Sequence, residues 1–201
     1  MRRVPPGARP ARPVPYAEPV TSGGPPGAKS RRTRRPAPYL LASPRRETPL
    51  TLGAADTECG LRLRDNGDGH TVPVTVGGRS GRSTTDGSPY EYVDVDNGIV
   101  PGGHYRATVT FDYYDHGTGS WIMQYDSVNG AYQQSASVAR TGTDTWRTAT
   151  LTLDDAAFHN GENAGTDFRL ANSGDTGTIG RVHVSVTGDN VLALHLCPDD
   201  D

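Results

Sequence analysis

The clearest pattern along the chain is an alternation of apolar and polar residues on both sides of a glycine-containing loop. Residues 105–113 alternate, and the apolar positions on one parity are Val109, Phe111 and Tyr113. Residues 121–125 repeat the alternation with Trp121, Met123 and Tyr125. A period of two is typical of a strand with one buried face, and glycines in a short connection supply positive φ values. The pattern therefore predicts two amphipathic strands joined as an antiparallel hairpin.

The chain beyond residue 56 continues as short alternating segments separated by turn residues. Segments of this kind lie at 61–64, 71–76, 90–96, 132–139, 146–153, 167–170, 179–186 and 191–196. Residues 77–89 predict a long loop, and residues 65–69 predict a hairpin turn rather than a calcium loop, because Gly67 and Gly69 stand where an EF-hand needs oxygen ligands. No segment has the 3.6-residue apolar period of a helix. The fold class predicted for residues 56–201 is all-β, a two-sheet antiparallel β-sandwich.

Charge divides the chain into two parts. Residues 1–55 hold 11 of the 20 Lys and Arg, 2 of the 23 Asp and Glu, and 12 of the 16 prolines, so this part carries +9 and the remainder −12. A Pro- and Arg-rich segment buries too little apolar surface to offset chain entropy, so we expect residues 1–55 to be a disordered tail or linker. The acidic remainder repels phosphate, which argues against nucleic-acid binding by the folded domain.

Two cysteines lie near the ends of the predicted domain. Cys59 begins it and Cys197 almost ends it, and there is no third cysteine for a thiolate zinc site. If the terminal strands lie side by side, Cys59 and Cys197 can form a disulfide. Such a disulfide would indicate an oxidising compartment. The alternative is two free, buried thiols.

Aromatic residues outside the core parity are the candidate binding groups. Trp121 belongs by parity to the core, and Trp146 is also expected to pack inward from the start of its strand. Tyr114 follows a strand on the outward parity beside His116, and Tyr132 lies in a later turn, so we predict these rings as sugar-stacking groups. Three loop asparagines that can hydrogen-bond sugar hydroxyls complete the predicted site: Asn160, Asn163 and Asn172.

Asp94 and Asp96 share one face of a predicted strand. Two carboxylates at this spacing can hold a hard cation such as a structural calcium, although a solvated face is the simpler interpretation.

Catalytic signatures are absent from the sequence. There is no G-x-S-x-G, and the six histidines show no H-E-x-x-H spacing. A lyase arrangement of Tyr114, His116 and Arg169 has no support from spacing alone. Asp112 and Asp115 flank the predicted hairpin turn, and turn formation accounts for both.

The run DHGTGSWIMQYDS, followed by TGTDTWRTATLTLDDAAF and GTDFRL, resembles the galactose-binding-like jelly roll. Many bacterial carbohydrate-binding modules share that fold, appended to glycoside hydrolases or polysaccharide lyases. The resemblance covers roughly residues 57–197. It implies a jelly-roll sandwich and sugar binding without catalysis.

The sequence therefore predicts a non-catalytic polysaccharide-binding module. The alternatives are a structural or interaction β-sandwich without sugar affinity, or a small polysaccharide lyase or glycoside hydrolase. We expect a monomer with a glycan partner and no membrane segment, because no run approaches the roughly 20 apolar residues of a membrane helix. An extracellular location is expected although no signal peptide is readable.

Overall fold

The structure, a computed structural model, describes residues 45–187, and within them the regular structure is almost entirely β. Thirteen strands alternate with turns and two short 3-10 turns, at Gly67–Gly69 and Asn163–Gly165. The strands are β1 (Arg45–Thr51), β2 (Thr57–Glu58), β3 (Leu61–Arg64), β4 (Thr71–Val76), β5 (Arg79–Thr84), β6 (Tyr90–Val95), β7 (Tyr105–Tyr114), β8 (Gly119–Ser127), β9 (Gly130–Gln134), β10 (Val138–Arg140), β11 (Trp146–Ala156), β12 (Phe168–Gly174) and β13 (Thr178–Thr187).

The strands form two antiparallel layers. The first layer has the order β2-β1-β13-β7-β11, and the second has the order β8-β12-β6-β3. Strands β9 and β10 pair with β8, and the layers connect through one bridge, Ala156 to Ser127. The predicted all-β sandwich fold is thereby confirmed for the part of the chain that the structure describes.

The core lies between the layers and follows the predicted parity. Buried residues from the first layer include Val109, Phe111 and Val184, and those from the second include Trp121 and Met123. Because alternate residues of a strand point to opposite faces, the alternating runs of β7, β8, β11 and β13 each place one set of side chains in this core, whereas the residues of β9 are all exposed.

The predicted hairpin between residues 105–113 and 121–125 is wrong in its pairing. Strand β7 pairs with β11 and β13, and β8 pairs with β12. Both strands have one apolar face, and those faces meet across the sandwich instead of lying side by side in one sheet. Alternation specifies which face is buried, and it does not specify the neighbouring strand.

A real hairpin occurs where a loop was expected. Strands β4 and β5 pair along six residue pairs, and Gly77 and Gly78 connect them with φ values of 54° and 75°. Positive φ at both central residues is the type I′ geometry that suits two-residue hairpins. The expected turn at residues 65–69 instead contains a 3-10 turn, and it links β3 to β4, which pair with other strands.

The folded body begins earlier than predicted. Strand β1 pairs along its whole length with β13, and Leu50 and Leu52 are buried in or beside the core. The segment that the sequence assigned to the tail therefore includes a paired strand over Arg45–Thr51, followed by the buried Leu52. Within residues 45–187 no helix is long and apolar enough to cross a bilayer.

Candidate functional site

An open cleft of about 540 Å³ lies at the end of β7, and we refer to it as the Tyr114 cleft. Its walls come from the β4–β5 hairpin, the end of β7, the following loops and the start of β13. The lining residues are Val76, Gly77, Ser83, Tyr114, His116, Asp144, Thr176 and Thr178. Segments far apart in sequence therefore meet at one outward-facing site.

Two rings form the aromatic part of the Tyr114 cleft. Tyr114 is the last residue of β7 and is half-buried, and its ring is nearly parallel to that of His116, with an angle of 19° and centroids 6.2 Å apart. The structure thus brings together two of the candidate ligand-binding residues, Tyr114 and His116, which are close in sequence. Both rings line the cleft, so each offers aromatic surface to a ligand there.

Trp146 supports this surface from the side rather than packing in the core. Its ring centroid is 5.6 Å from that of Tyr114, and its indole Nε1 donates a hydrogen bond to the carbonyl of Val76 at 2.9 Å. Arg79 stacks over the indole at 4.6 Å and pairs with Asp112 at 2.8 Å. The expected inward packing of Trp146 is wrong, because this residue pairs with Tyr114 on the outward face of the first layer.

Polar groups surround the aromatic rings. His116 Nδ1 lies 2.5 Å from Asp144 Oδ1, and both side chains are largely exposed. Ser83 and Thr178 share a hydrogen bond of 2.6 Å on the opposite wall. A cleft that combines ring faces with carboxylate, imidazole and hydroxyl groups offers both stacking and hydrogen bonding to a ligand.

Asp115 organises the loop that carries Asp144. Its carboxylate is fully buried and accepts hydrogen bonds from the Thr141 amide and hydroxyl at 2.6 and 2.8 Å, and from the Thr143 hydroxyl at 2.7 Å. Burial by itself raises the pKa of Asp115, but these hydrogen bonds outweigh burial and hold the pKa well below its ordinary value. Asp115 is therefore an ionised anchor for residues 141–145.

Arg140 fixes the loops on the other side of the cleft. Its buried guanidinium donates to backbone carbonyls of two connections, including those of His116 at 3.0 Å, Thr118 at 2.8 Å and Thr176 at 2.9 Å. It also donates to the side-chain oxygen of Asn172 at 3.0 Å. Five fixed donors allow one arginine to satisfy several carbonyls at once, so Arg140 holds two cleft-lining residues in place.

Tyr132 lies on the second layer, away from the elements that build the Tyr114 cleft. Its hydroxyl donates to Asn163 Oδ1 at 2.7 Å, and Arg169 stacks against its ring at 4.7 Å. The structure therefore brings together two of the predicted residues, Tyr132 and Asn163, at a surface distinct from that of Tyr114 and His116.

The other two predicted asparagines have structural contacts. Asn160 donates to Asp94 Oδ1 at 3.2 Å and to the Gly165 carbonyl at 3.0 Å. Asn172 donates to Thr84 at 3.2 Å and to the Asp175 carbonyl at 2.9 Å. Their donors are committed to loop closure, so the geometry gives no support to their predicted role as hydroxyl readers.

The two carboxylates considered for a metal are engaged with arginines. Asp94 pairs with Arg64 at 2.6 Å and Asp96 lies 3.6 Å from Arg62. No group of three or more potential ligands is found in the described part of the chain. Each of the two carboxylates thus lies beside an arginine, and the predicted cation site at Asp94 and Asp96 stays a prediction.

Cys59 is buried, whereas Cys197 lies outside the described residues, so their predicted disulfide stays a prediction. The lyase arrangement of Tyr114, His116 and Arg169 is not assembled: the ring contacts of Arg169 are with Tyr90, Tyr92 and Tyr132.

Three residues with central contacts were not among the predicted ligand-binding residues, namely Arg140, Arg169 and Tyr90. Arg140 and Arg169 each lie in a short strand among ordinary neighbours, and only the folded chain shows how many groups they contact. Tyr90 could have been identified, since it shares the outward parity of Tyr92 in an alternating run.

The chain is similar in structure to CBM29-2, a family 29 carbohydrate-binding module, at 14% sequence identity. A variant complexed with cellulohexaose matches with a TM-score of 0.45 and covers 70% of this chain and 91% of that chain. A variant complexed with mannohexaose matches with a TM-score of 0.42 and covers 70% of this chain and 92% of that chain. No protein-family model and no curated protein matches the chain.

Proposed function

We propose that the protein is a non-catalytic carbohydrate-binding module that takes a polysaccharide in the Tyr114 cleft. The observation that carries this proposal is the pair of nearly parallel rings, Tyr114 and His116, lining an open cleft beside polar side chains. Stacking on such rings removes the apolar face of a pyranose from water, and the polar groups bind its hydroxyls.

The openness of the cleft and the carboxylates beside it support a binding role. The cleft is open to solvent, so an internal stretch of a long polysaccharide can bind in it without a chain end having to enter. Asp144, whose carboxylate lines the cleft, is largely exposed beside His116, and the buried Asp115 already accepts several hydrogen bonds. The hydrogen bonds hold the pKa of Asp115 well below its ordinary value, whereas a general acid needs a carboxyl whose pKa is raised, so Asp115 is suited to holding the loop and not to protonating a bound sugar.

Affinity electrophoresis of the full chain tests the proposal. Gels containing hydroxyethylcellulose, galactomannan or xylan should retard the protein in at least one case. Isothermal titration with cellohexaose and mannohexaose, the sugars bound by the CBM29-2 structures, then gives the dissociation constant. Retardation by none of the polysaccharides would contradict glycan binding.

Variants of the full chain locate the site. Tyr114→Ala should weaken binding about tenfold or more, since a ring–sugar stack contributes on the order of 1–2 kcal/mol. Tyr114→Phe keeps the ring and should retain most of the affinity. Thr152→Ala, an exposed residue of β11 outside the cleft, is the matched control and should bind like the wild type. Equal affinity of all three variants would place the site elsewhere.

Incubation with the same polysaccharides, followed by assays for reducing ends and unsaturated uronates, tests the non-catalytic part. We expect no product. Product formation that Tyr114→Ala abolishes would reassign the cleft to an enzyme.

A further inference from the structure

Tyr132 is an exposed ring held in place from several directions. Its φ of 62° is in the left-handed region, which is uncommon for a residue with a side chain, and its relative exposure is 37%. The amide donates to Glu162 Oε1 at 2.8 Å and the hydroxyl to Asn163 Oδ1 at 2.7 Å. A strained, exposed and immobilised aromatic residue is the kind of outlier that points to function.

A stack of side chains supports the inner face of the Tyr132 ring. The Arg169 guanidinium lies 4.7 Å from the centroid of Tyr132 and 3.9 Å from that of Tyr90. Its Nε donates to Gln124 at 2.6 Å, and its Nη1 donates to the Tyr92 hydroxyl at 2.7 Å. Arg169 is thereby fixed between two rings, and Tyr132 keeps its outer face for a ligand.

Glu162 lies beneath this stack and is almost completely buried. One carboxyl oxygen accepts from Tyr132, while the other, Oε2, has no hydrogen-bond partner among the described residues and lies 3.9 Å from Arg169 Nε. Burial raises the pKa of Glu162 to about 7, despite the opposing hydrogen bond from Tyr132. A carboxyl group in this position is costly for stability, yet it holds the backbone of the exposed ring.

The Tyr132 surface lies on the opposite layer from the Tyr114 cleft. Arg169 and Gln124 pair across β12 and β8 of the second layer, and Tyr114 and Trp146 pair across β7 and β11 of the first. Each pair is on the outward face of its layer. Ligands bound to the two surfaces would therefore approach the protein from opposite directions.

We propose that Tyr132, with Asn163, Gln124 and the exposed Gln134, forms a second glycan-binding surface, so that one molecule holds two polysaccharide chains. The inference rests on the proposed function for the chemistry of the ligand, and it goes beyond it in the number of sites. The ring stacks on a pyranose. Asn163 already donates one N–H to the Tyr92 hydroxyl at 3.0 Å, and its second amide N–H, together with the amide N–H groups of Gln124 and the exposed Gln134, donates to sugar hydroxyls.

The charges around Tyr132 favour a neutral sugar. Arg169 is the cation of the stack, and Asp68, which accepts from the Tyr92 hydroxyl at 2.9 Å, opposes that charge. A surface with balanced charge gives no attraction for a uronate or a sulfate, so binding should change little between low and high salt.

Isothermal titration of the full chain with cellohexaose and mannohexaose, together with Tyr114→Ala, Tyr132→Ala and the double variant, tests this inference. We expect two sites per wild-type chain, one in each single variant and none in the double variant. On gels containing the soluble polysaccharide, each single variant should lose retention by more than half, because two linked sites act together. Amide spectra of labelled protein should show separate groups of ligand-shifted signals at residues 114–116 and 130–134.

The outcomes separate the two proposals. One wild-type site that Tyr114→Ala removes would overturn the second surface and leave the proposed function intact. One wild-type site that Tyr132→Ala removes would keep the Tyr132 surface and overturn the Tyr114 cleft. No binding by any form would overturn both.

A structural role of Tyr132 needs its own control. Tyr132→Phe keeps the ring and loses the bond to Asn163, and it should retain the second site with a modestly lower thermal midpoint. The amide spectrum of Tyr132→Ala shows whether the variant is folded. If the number of binding sites falls only where this spectrum has lost its native dispersion, the loss of the site is caused by unfolding and the inference fails.

Discussion

Two buried acidic residues, Asp115 and Glu91, differ in the hydrogen bonding of their carboxyl groups. Asp115 is satisfied by hydroxyl and amide donors, whereas both carboxyl oxygens of Glu91 are buried without a hydrogen-bond partner among the described residues. Glu91 faces the core because it shares the parity of Val93 and Val95, a placement that the alternation indicates. Its environment could not be foreseen, because the neighbours come from other strands.

Asp115→Asn should destabilise the protein by about 2–3 kcal/mol, because a buried carboxylate with charge-assisted hydrogen bonds loses its charge. Since the folded-state pKa of Asp115 lies below the unfolded value, its contribution is present above the unfolded pKa and is lost as the pH falls. Urea unfolding at pH 7 and pH 3 measures both effects. An identical loss at the two pH values would show that Asp115 is not the ionised anchor.

Glu91→Gln should change how stability depends on pH. Burial raises the pKa of Glu91 well above its ordinary value of 4.5, so its contribution is present at low pH and is lost as the pH rises toward the folded-state pKa. Relative to the non-titrating variant, the wild type should lose up to about 1.4 kcal/mol per pH unit above pH 5. The comparison is made by urea unfolding between pH 5 and 8. Parallel curves for the two proteins would contradict a protonated Glu91.

At the scale of elements, the β4–β5 hairpin determines one wall of the Tyr114 cleft. A Cβ on Gly77 would lie 2.8 Å from Tyr114 Cε2 and 3.1 Å from Trp146 Nε1, whereas a Cβ on Gly78 would have nothing within 4 Å. The two glycines have similar positive φ values, so the strain of any side chain is similar at both.

Gly77→Ala should therefore weaken glycan retention, and Gly78→Ala should not. Both variants should lose about 1 kcal/mol of stability from backbone strain. The additional displacement of Tyr114 or Trp146 is specific to Gly77. Affinity electrophoresis and thermal unfolding of the two variants give the comparison, and equal retention would show that the ring tolerates the added methyl group.

Strand β1 makes a second prediction at this scale. Removing residues 1–55 takes away β1 and the buried Leu50 and Leu52, which should cost more than about 4 kcal/mol, while removing residues 1–44 leaves the strand. Chemical unfolding of the two truncated proteins measures the difference. Equal stabilities would mean that β1 contributes little to the fold.

The same elements show how far the sequence could be read. The alternation of apolar and polar residues correctly placed Phe111, Trp121 and Met123 in the core, because the side of a strand on which a residue lies follows from its position in the local sequence. Partners were misassigned for β7 and β8, because pairing depends on loops that cross between layers. Strand β5 was missed because its sequence, Arg-Ser-Gly-Arg-Ser-Thr, has no apolar alternation. Its buried hydroxyl groups are hydrogen-bonded to residues distant in sequence, as Ser83 is to Thr178, and such partners cannot be read from the local sequence. Tyr114 and His116 could be expected to lie together, as they do in one cleft, because both lie at the same strand end.

For the whole molecule, the predicted Cys59–Cys197 disulfide is the main test of the compartment. Closing a loop of this length would contribute roughly 4–5 kcal/mol in the chain-entropy model. Mass spectrometry without reductant should show the intact chain two hydrogens lighter, and dithiothreitol should lower the thermal midpoint. A free-thiol reagent that labels both cysteines in the native protein would contradict the bond and the oxidising location that it indicates.

The pairing of β1 with β13 has a practical consequence for engineering. Arg45 and Thr187 are partners in one ladder, so the two ends of the described body are roughly 5 Å apart between Cα atoms. A short peptide joining these ends, with new termini opened at Gly78, should yield a circular permutant. Because its two ends are close together, the body should also fit into a surface loop of a host protein without increasing the distance between the two ends of that loop.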